Sequence, residues 1–151
     1  MPHQCVMREI ASIKQLATLV GREVAVSDWM PITQQRISAF AEATDDRQWI
    51  HIDTERCQRE SPYGCTIAHG FLTLSLVPRM MENALSMPDV RLSINYGLNK
   101  VRFPAPVPVD SRLRARFLLL AIDDIDGGSQ IVWSVTLERD GSAKPVCVAE
   151  F

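Results

Sequence analysis

An acid, an imidazole and a candidate oxyanion site fall within the 25 residues from Asp46 to Gly70. Asp46 and His51 stand five apart in Thr44-Asp-Asp-Arg-Gln-Trp-Ile-His-Ile-Asp53. On one short segment, a carboxylate and an imidazole can hold a single water and act on it as base and acid. Thr66-Ile-Ala-His-Gly70 follows, and Gly70 opens a long apolar stretch. The first N–H groups of a helix have no partner inside it and lie at the positive end of its dipole. They can bind a carbonyl oxygen that becomes anionic in a transition state. A plainer interpretation fits the same residues: Asp46 and Asp53 as caps of short helical turns, and His51 as a satisfied, half-buried imidazole. Asp46, His51, Asp53 and His69 are also metal-ligand types. Proton transfer beside an oxyanion site needs no metal, so no metal and no other cofactor is expected.

The surrounding pattern says which elements must position these groups. In Arg8 to Val20 the apolar residues Ile10, Ile13, Leu16, Ala17 and Val20 recur at spacings of three and four, which predicts a helix stopped by Gly21. Glu23 to Ser27 is β-rich, and Asp28-Trp-Met-Pro31 is expected to break it. Thr33 stands where an N-cap would, ahead of a helix over Gln34 to Thr44. Asp45 to Gly70 shows little regular pattern beyond a possible helical turn after Asp53, and long irregular segments often carry function. Phe71 to Leu85 is apolar nearly all round, which predicts a buried central helix, with Pro78 ending or kinking it.

The remainder reads as strands. Arg91 to Phe103 is a candidate long strand interrupted by Gly97, and Pro104, Pro106 and Pro108 predict an extended, non-pairing connector. Leu113, Ala115, Phe117 and Leu119 alternate with Arg112, Arg114 and Arg116, a period of two. Asp126-Gly-Gly128 and Asp140-Gly141 mark turns around a second alternating run, Ile131 to Glu138, and Pro145 to Phe151 forms a last strand. Helices first, one buried helix, then an antiparallel meander make an α+β plan, a sheet packed on one long helix.

Composition narrows the classes. The 151 residues suit one domain, 1–151. With 16 Lys plus Arg against 18 Asp plus Glu, the charge is −2, without the basic excess of a nucleic-acid binder. No apolar run is long enough to span a membrane, and the N-terminus Met1-Pro-His-Gln-Cys lacks a secretory pattern. Cys5, Cys57, Cys65 and Cys147 form no CxxC pair, so reduced thiols in a cytoplasmic protein are expected.

The residues Ala43-Thr-Asp-Asp-Arg-Gln-Trp-Ile-His-Ile-Asp-Thr-Glu-Arg56 and Tyr63-Gly-Cys-Thr-Ile-Ala-His-Gly-Phe-Leu-Thr-Leu-Ser-Leu76 resemble the hydratase signature of MaoC-like proteins. That family includes the (R)-specific enoyl-CoA hydratases and a nodulation protein N-like branch. Asn95-Tyr-Gly-Leu-Asn-Lys-Val-Arg-Phe-Pro-Ala-Pro-Val107 is similar to that branch as well. The resemblance implies a hotdog fold, an antiparallel sheet wrapped around a long central helix, in a homodimer. It implies reversible addition of water to a trans-2-enoyl thioester of CoA or acyl-carrier protein, giving the (R)-3-hydroxyacyl thioester. By position, Asp46 and His51 would be the catalytic pair and the Gly70 N–H the oxyanion donor. His69 would support the helix start.

Asp45 stands where the family carries Gly, and Gln48-Trp49 where Asn-Pro is common. Gln48, Trp49 and His69 are candidate substrate-pocket residues, with ordinary packing as the alternative for Trp49. Asp45 is expected to face solvent. Arg112, Arg114 and Arg116 are read as a solvated sheet face rather than a site for CoA phosphates. Two alternative functions share the fold. An acyl-CoA thioesterase would need an acid on the central helix, where Glu82 lies far down. A non-catalytic acyl-CoA-binding subunit would tolerate loss of Asp46 or His51, and both are present.

Overall fold

The computed structural model describes residues 6–151, so Cys5 and the extreme N-terminus lie outside the described residues. The first half runs β1 (Arg8–Glu9), α1 (Ile13–Ala17), β2 (Glu23–Val26), β3 (Met30–Ile32), α2 (Gln34–Thr44), α3 (Trp49–Ile52) and α4 (Thr54–Glu60). It continues through α5 (Gly70–Ser75), α6 (Val77–Ala84), β4 (Leu85–Ser86), β5 (Lys100–Arg102), β6 (Ser111–Ile125), β7 (Gly128–Arg139) and β8 (Cys147–Glu150). Six strands form one antiparallel sheet in the order β2-β6-β7-β8-β5, with β3 also pairing β6.

The alternation in the sequence becomes the two faces of this sheet. Ala115 pairs with Leu137, Phe117 with Val135 and Leu119 with Trp133, and all six side chains are buried. The intervening arginines point the other way and are taken up by carboxylates. Glu138 accepts from Arg114 Nε and Arg116 Nε, each at 2.7 Å, and Arg116 Nη1 reaches Glu23 at 2.9 Å. Arg112 pairs with Asp140. The face expected to be solvated is so at Arg112, while Arg114 and Arg116 are half-buried and neutralised by carboxylates of neighbouring strands. The hairpin between β6 and β7 turns at Gly127, whose φ of +80° is open to glycine without penalty.

On the buried face lies the central helix of the hotdog architecture. Leu72, Val77, Met80 and Ala84 are buried, and α6 packs against β2 and β6. The helix is broken at Leu76, and Pro78 follows within the first turn of α6. Proline has no N–H to give back to the preceding turn, so α5 and α6 are separate pieces, as Pro78 foretold. The helix is not buried on all sides, however: Phe71, Arg79 and Glu82 are exposed.

Several expectations are corrected. The first helix is only Ile13–Ala17, because Arg8–Glu9 is drawn off to pair in parallel with β4. Pro31 does not break the chain but sits in β3, where its exposed edge position needs no N–H donor. Of the candidate strand Arg91 to Phe103 only Lys100–Arg102 pairs, with β8. Leu92, Ile94, Tyr96 and Leu98 keep the period-two pattern but are exposed. The connector is not wholly unpaired: Ala68 N–H donates to the Val107 carbonyl at 2.8 Å, and Val109 N–H to that of Thr66 at 2.9 Å. Among the described residues no helix is long and apolar enough to cross a membrane.

Candidate active site

The segment after α2 is shaped by its ends. Thr33 caps α2, its hydroxyl accepting from Arg36 N–H at 3.2 Å. At the other end Asp45 takes the left-handed conformation, φ +59°, faces solvent and pairs with Arg47 at 2.9 Å. This position closes a helix by a backbone turn that favours glycine, which accounts physically for a Gly there in similar chains. The turn releases Asp46 from the helix. Its carboxylate is exposed and has no protein partner among the described residues. Its carbonyl accepts from His69 Nε2–H at 3.0 Å.

The stretch expected to be irregular holds two short helices. Gln48 is the exposed N-cap of α3 and gives no side-chain cap. Asp53 caps α4, accepting from Arg56 N–H at 2.9 Å, so the plain interpretation holds for Asp53. Trp49 is half-buried and stacks under the Arg56 guanidinium, 4.3 Å from its ring centre. Cys57 is buried beneath α3, its thiol 3.6 Å from the Trp49 carbonyl. Burial pushes that thiol above its ordinary pKa, with Asp53 adding to the effect.

On α3, His51 is only 6% exposed. Its Nδ1 lies 2.6 Å from the Ile67 carbonyl. A carbonyl can only accept, so Nδ1 carries the hydrogen and Nε2 is left with a free lone pair. Burial lowers the His51 pKa. The Ile67 bond opposes this, the neighbouring His69 ring lowers it further, and Asp46 raises it. The neutral, proton-accepting form is therefore favoured.

Gln34, which the sequence pattern did not flag as a site residue, holds this arrangement together with Thr66 and Ile67. Gln34, in the first turn of α2, donates from Nε2 to the His51 carbonyl at 2.8 Å and accepts at Oε1 from the Thr66 hydroxyl. The only signal was a polar side chain beside the Thr33 cap. Ile67 N–H donates to the Ile50 carbonyl at 3.0 Å. Residues 66–68 are thus fixed between α3 and the connector strand, and His69-Gly70 emerges beside Asp46.

His69 is 3% exposed and stacks on His51, ring centres 3.7 Å apart and planes inclined by 23°. Its side chain makes no cap to α5, so the expected support of the helix start comes only from its backbone carbonyl, which accepts from Thr73 N–H at 3.2 Å. Gly70 follows as the first residue of α5, and its N–H has no partner among the described residues. The Phe103 ring covers its Cα so closely that a Cβ built there would lie 2.9 Å from Cδ2. Phe71 meets Phe103 edge-on at 6.0 Å. Glu82 is exposed and paired with Arg79 at 3.3 Å, away from this cluster.

The structure thus brings Asp46, His51, His69 and Gly70 together and leaves Gln48 and Trp49 at the rim. A donor atom from each of Asp46, His51 and His69 lies within 4.8 Å of the others, and the three are of metal-ligand type. Imidazole lone pairs lie in the ring plane, however. Two rings stacked 3.7 Å apart, with planes inclined by only 23°, cannot both aim at one ion at the usual bond length of about 2.0–2.1 Å. The arrangement suits acid–base work on a polarised carbonyl compound better than ion binding.

Comparison with known proteins gives a consistent result. A family profile described as MaoC like domain matches residues 15–140. The 3-hydroxyacyl-thioester dehydratase Z of Mycobacterium tuberculosis is 52% identical over 145 residues, covering 95% of each chain. A nodulation protein N of Rhizobium leguminosarum bv. viciae is 41% identical over 145 residues, covering 93% of this chain and 88% of the other. Among solved structures, the monoamine oxidase regulatory protein from Archaeoglobus fulgius superposes with a TM-score of 0.76 at 21% identity, covering 96% of this chain and 94% of that one.

Proposed function

Since the chain belongs to the MaoC-like domain family, we propose that it is a hydro-lyase acting on acyl thioesters. The reaction is the reversible syn addition of water to a trans-2-enoyl thioester of CoA or acyl-carrier protein, giving the (R)-3-hydroxyacyl thioester. One observation carries this reading: the His51 Nε2 lone pair, the free Asp46 carboxylate and the unpaired Gly70 N–H occupy one corner of the fold.

The groups divide the work as follows. Asp46 and His51 hold the water. Its oxygen bonds to C3 of the enoyl group as the pair takes up one of its protons. The C2=C3 electron pair shifts toward the thioester carbonyl, whose oxygen is held by the Gly70 N–H while it carries enolate charge. The pair returns a proton to C2 from the same side, so atoms balance and the enzyme is regenerated. No step calls for a metal or redox cofactor. The relative's name, 3-hydroxyacyl-thioester dehydratase, describes the same chemistry run in reverse.

The unit that acts is one domain, residues 1–151, working as a homodimer in the cytoplasm. Exposed Leu92, Ile94, Tyr96 and Leu98, together with Phe71 and Phe103, form apolar surface that a second copy would cover. Light scattering should give twice the mass of one chain, and a monomer would count against this assembly.

The test is a hydration assay on crotonyl-CoA and a medium-chain enoyl-CoA. It follows the loss of conjugated-thioester absorbance, with chiral analysis of the product. Asp46→Asn and His51→Gln should each lower the rate about a hundredfold or more. Wild-type rates in both variants would remove the assigned mechanism. Release of free thiol without hydration would replace it with thioester hydrolysis.

A further inference from the structure

His69 is buried at the centre of the site, yet the reaction outlined above gives its side chain nothing to do. Its contacts are specific. Nε2–H donates to the Asp46 backbone carbonyl at 3.0 Å, and one ring face lies on His51 at 3.7 Å. Phe40 of α2 packs against the same ring at 4.9 Å, tilted by 56°. His69 is thus tied to both members of the pair, which lie on different elements: Asp46 on the turn after α2, His51 on α3.

We propose that His69 is a positioning residue that sets the geometry of Asp46 and His51 relative to each other, through its bond to the Asp46 carbonyl and its stacking on the His51 ring. The inference rests on the hydratase reading of the same site. Asp46 needs such a tie. Its segment is exposed, it follows a left-handed residue, and among the described residues the only other side chain bonded to it is the Thr44 hydroxyl, accepting from Asp46 N–H at 3.4 Å. A misplacement of about 1 Å in a catalytic group can cost a hundredfold in rate. The stacking has a second consequence. Asp46 and His69 are the charged or titratable neighbours that act on His51, Asp46 favouring its protonation and His69 opposing it. Two imidazoles face to face resist both being charged, which keeps the His51 lone pair available.

Two substitutions separate the contacts. His69→Phe keeps a flat ring between Phe40 and His51 and deletes the donor to Asp46. His69→Gln keeps an N–H able to reach that carbonyl and deletes the ring. Neither replacement carries charge, and His69→Gln also uncovers the His51 ring, so in that variant the ring should titrate at higher pH, read by NMR of the imidazole signals without substrate. In His69→Phe, kcat should fall about tenfold to a hundredfold with KM within threefold of wild type, and His69→Gln should recover part of the loss. An unmoved His51 titration in folded His69→Gln, or kcat in His69→Phe within twofold of wild type, would overturn the proposal. If His69→Phe does not fold, the titration and kcat of His69→Gln decide it by the same limits. The NMR arm does not depend on the reaction, so a wild-type protein without hydratase activity would sink the functional reading while the titration still judged the contact.

Discussion

Replacing Gly70 by proline tests the oxyanion assignment with little disturbance to the fold. Gly70 is the first residue of α5, and its N–H is unpaired, so the fold loses no hydrogen bond when that hydrogen is removed. The first helical position is where proline is best tolerated. The preceding residue, His69, has φ −61° and ψ +139°, the extended backbone that proline demands of its neighbour. The obstacle is Phe103, whose Cδ2 would lie 2.9 Å from a new Cβ and must retreat by about 0.5 Å to reach ordinary contact at 3.4 Å. Phe103 is 39% exposed, so its ring can move outward at about 0.5–1.5 kcal/mol. Gly70→Ala introduces the same Cβ but keeps the N–H. It is the control. Both variants should melt within a few degrees of wild type, since about 1 kcal/mol moves Tm by roughly 2–4 °C at this length. Loss of one oxyanion donor costs about 10²–10³ in kcat, or roughly 2.7–4 kcal/mol. In the hydration assay Gly70→Pro should therefore fall below Gly70→Ala by that factor. Equal kcat values within threefold at matching Tm would refute the role of this N–H. A fall of more than 10 °C in both would refute the freedom assigned to Phe103.

Three further predictions follow from single groups. Burial first, and His69 second, hold the His51 pKa below 6.5, so between its folded value and 6.5 the unfolded chain binds more protons and stability rises with pH. Urea melts should show this slope just below pH 6.5 and not above it, and His51→Gln should abolish it; an unchanged slope would exclude His51 as its source. Asp45 holds φ +59°, so Asp45→Val should lose about 1 kcal/mol or more, while Asp45→Gly should stay within about 0.5 kcal/mol of wild type because relieved strain and added chain entropy oppose each other; a Val variant as stable as wild type would contradict the backbone assignment. Burial pushes the Cys147 thiol up to about 11 and raises that of Cys57, whereas Cys65 is partly exposed. Alkylation of the folded protein at pH 8, read by peptide mass, should modify Cys65 well before either of the others, and equal labelling of Cys147 would show that the core opens.

What the sequence made legible is what its own neighbours determine. The β6–β7 hairpin could be read because alternation over Leu113–Leu119 and Ile131–Leu137 reports one buried face, and the turn glycine stands between the two runs. The Thr33 cap and the Pro78 break are likewise local, decided within one turn of helix. Asp46, His51 and Gly70 could be picked out as candidates because a carboxylate, an imidazole and a helix-opening N–H are reactive group types whatever surrounds them. Gln34 could not. Its worth lies in bonds to the His51 carbonyl 17 residues away and the Thr66 hydroxyl 32 residues away, and no short-range pattern encodes these. His69 was visible as a residue, but its role depends on a ring stack and on a carbonyl 23 residues back.

The segment from Arg91 to Asn99 sharpens the same point from the other side. Leu92, Ile94, Tyr96 and Leu98 alternate with polar residues as a half-buried strand does, yet all four are exposed among the described residues, Tyr96 to 89%. Alternation reflects an environment with one apolar side, not a strand as such. Where the chain supplies that side, as at β6 and β7, the pattern becomes a paired strand. Where it does not, as here, the same pattern remains exposed apolar surface. The segment runs directly into the edge strand β5 and then into the Phe103 that covers Gly70, so this exposed surface and the candidate site share one stretch of chain. On the function proposed above, a second copy seated on residues 92–98 would bear on the same stretch of chain as Phe103, and through it on how closely a thioester approaches the Gly70 N–H.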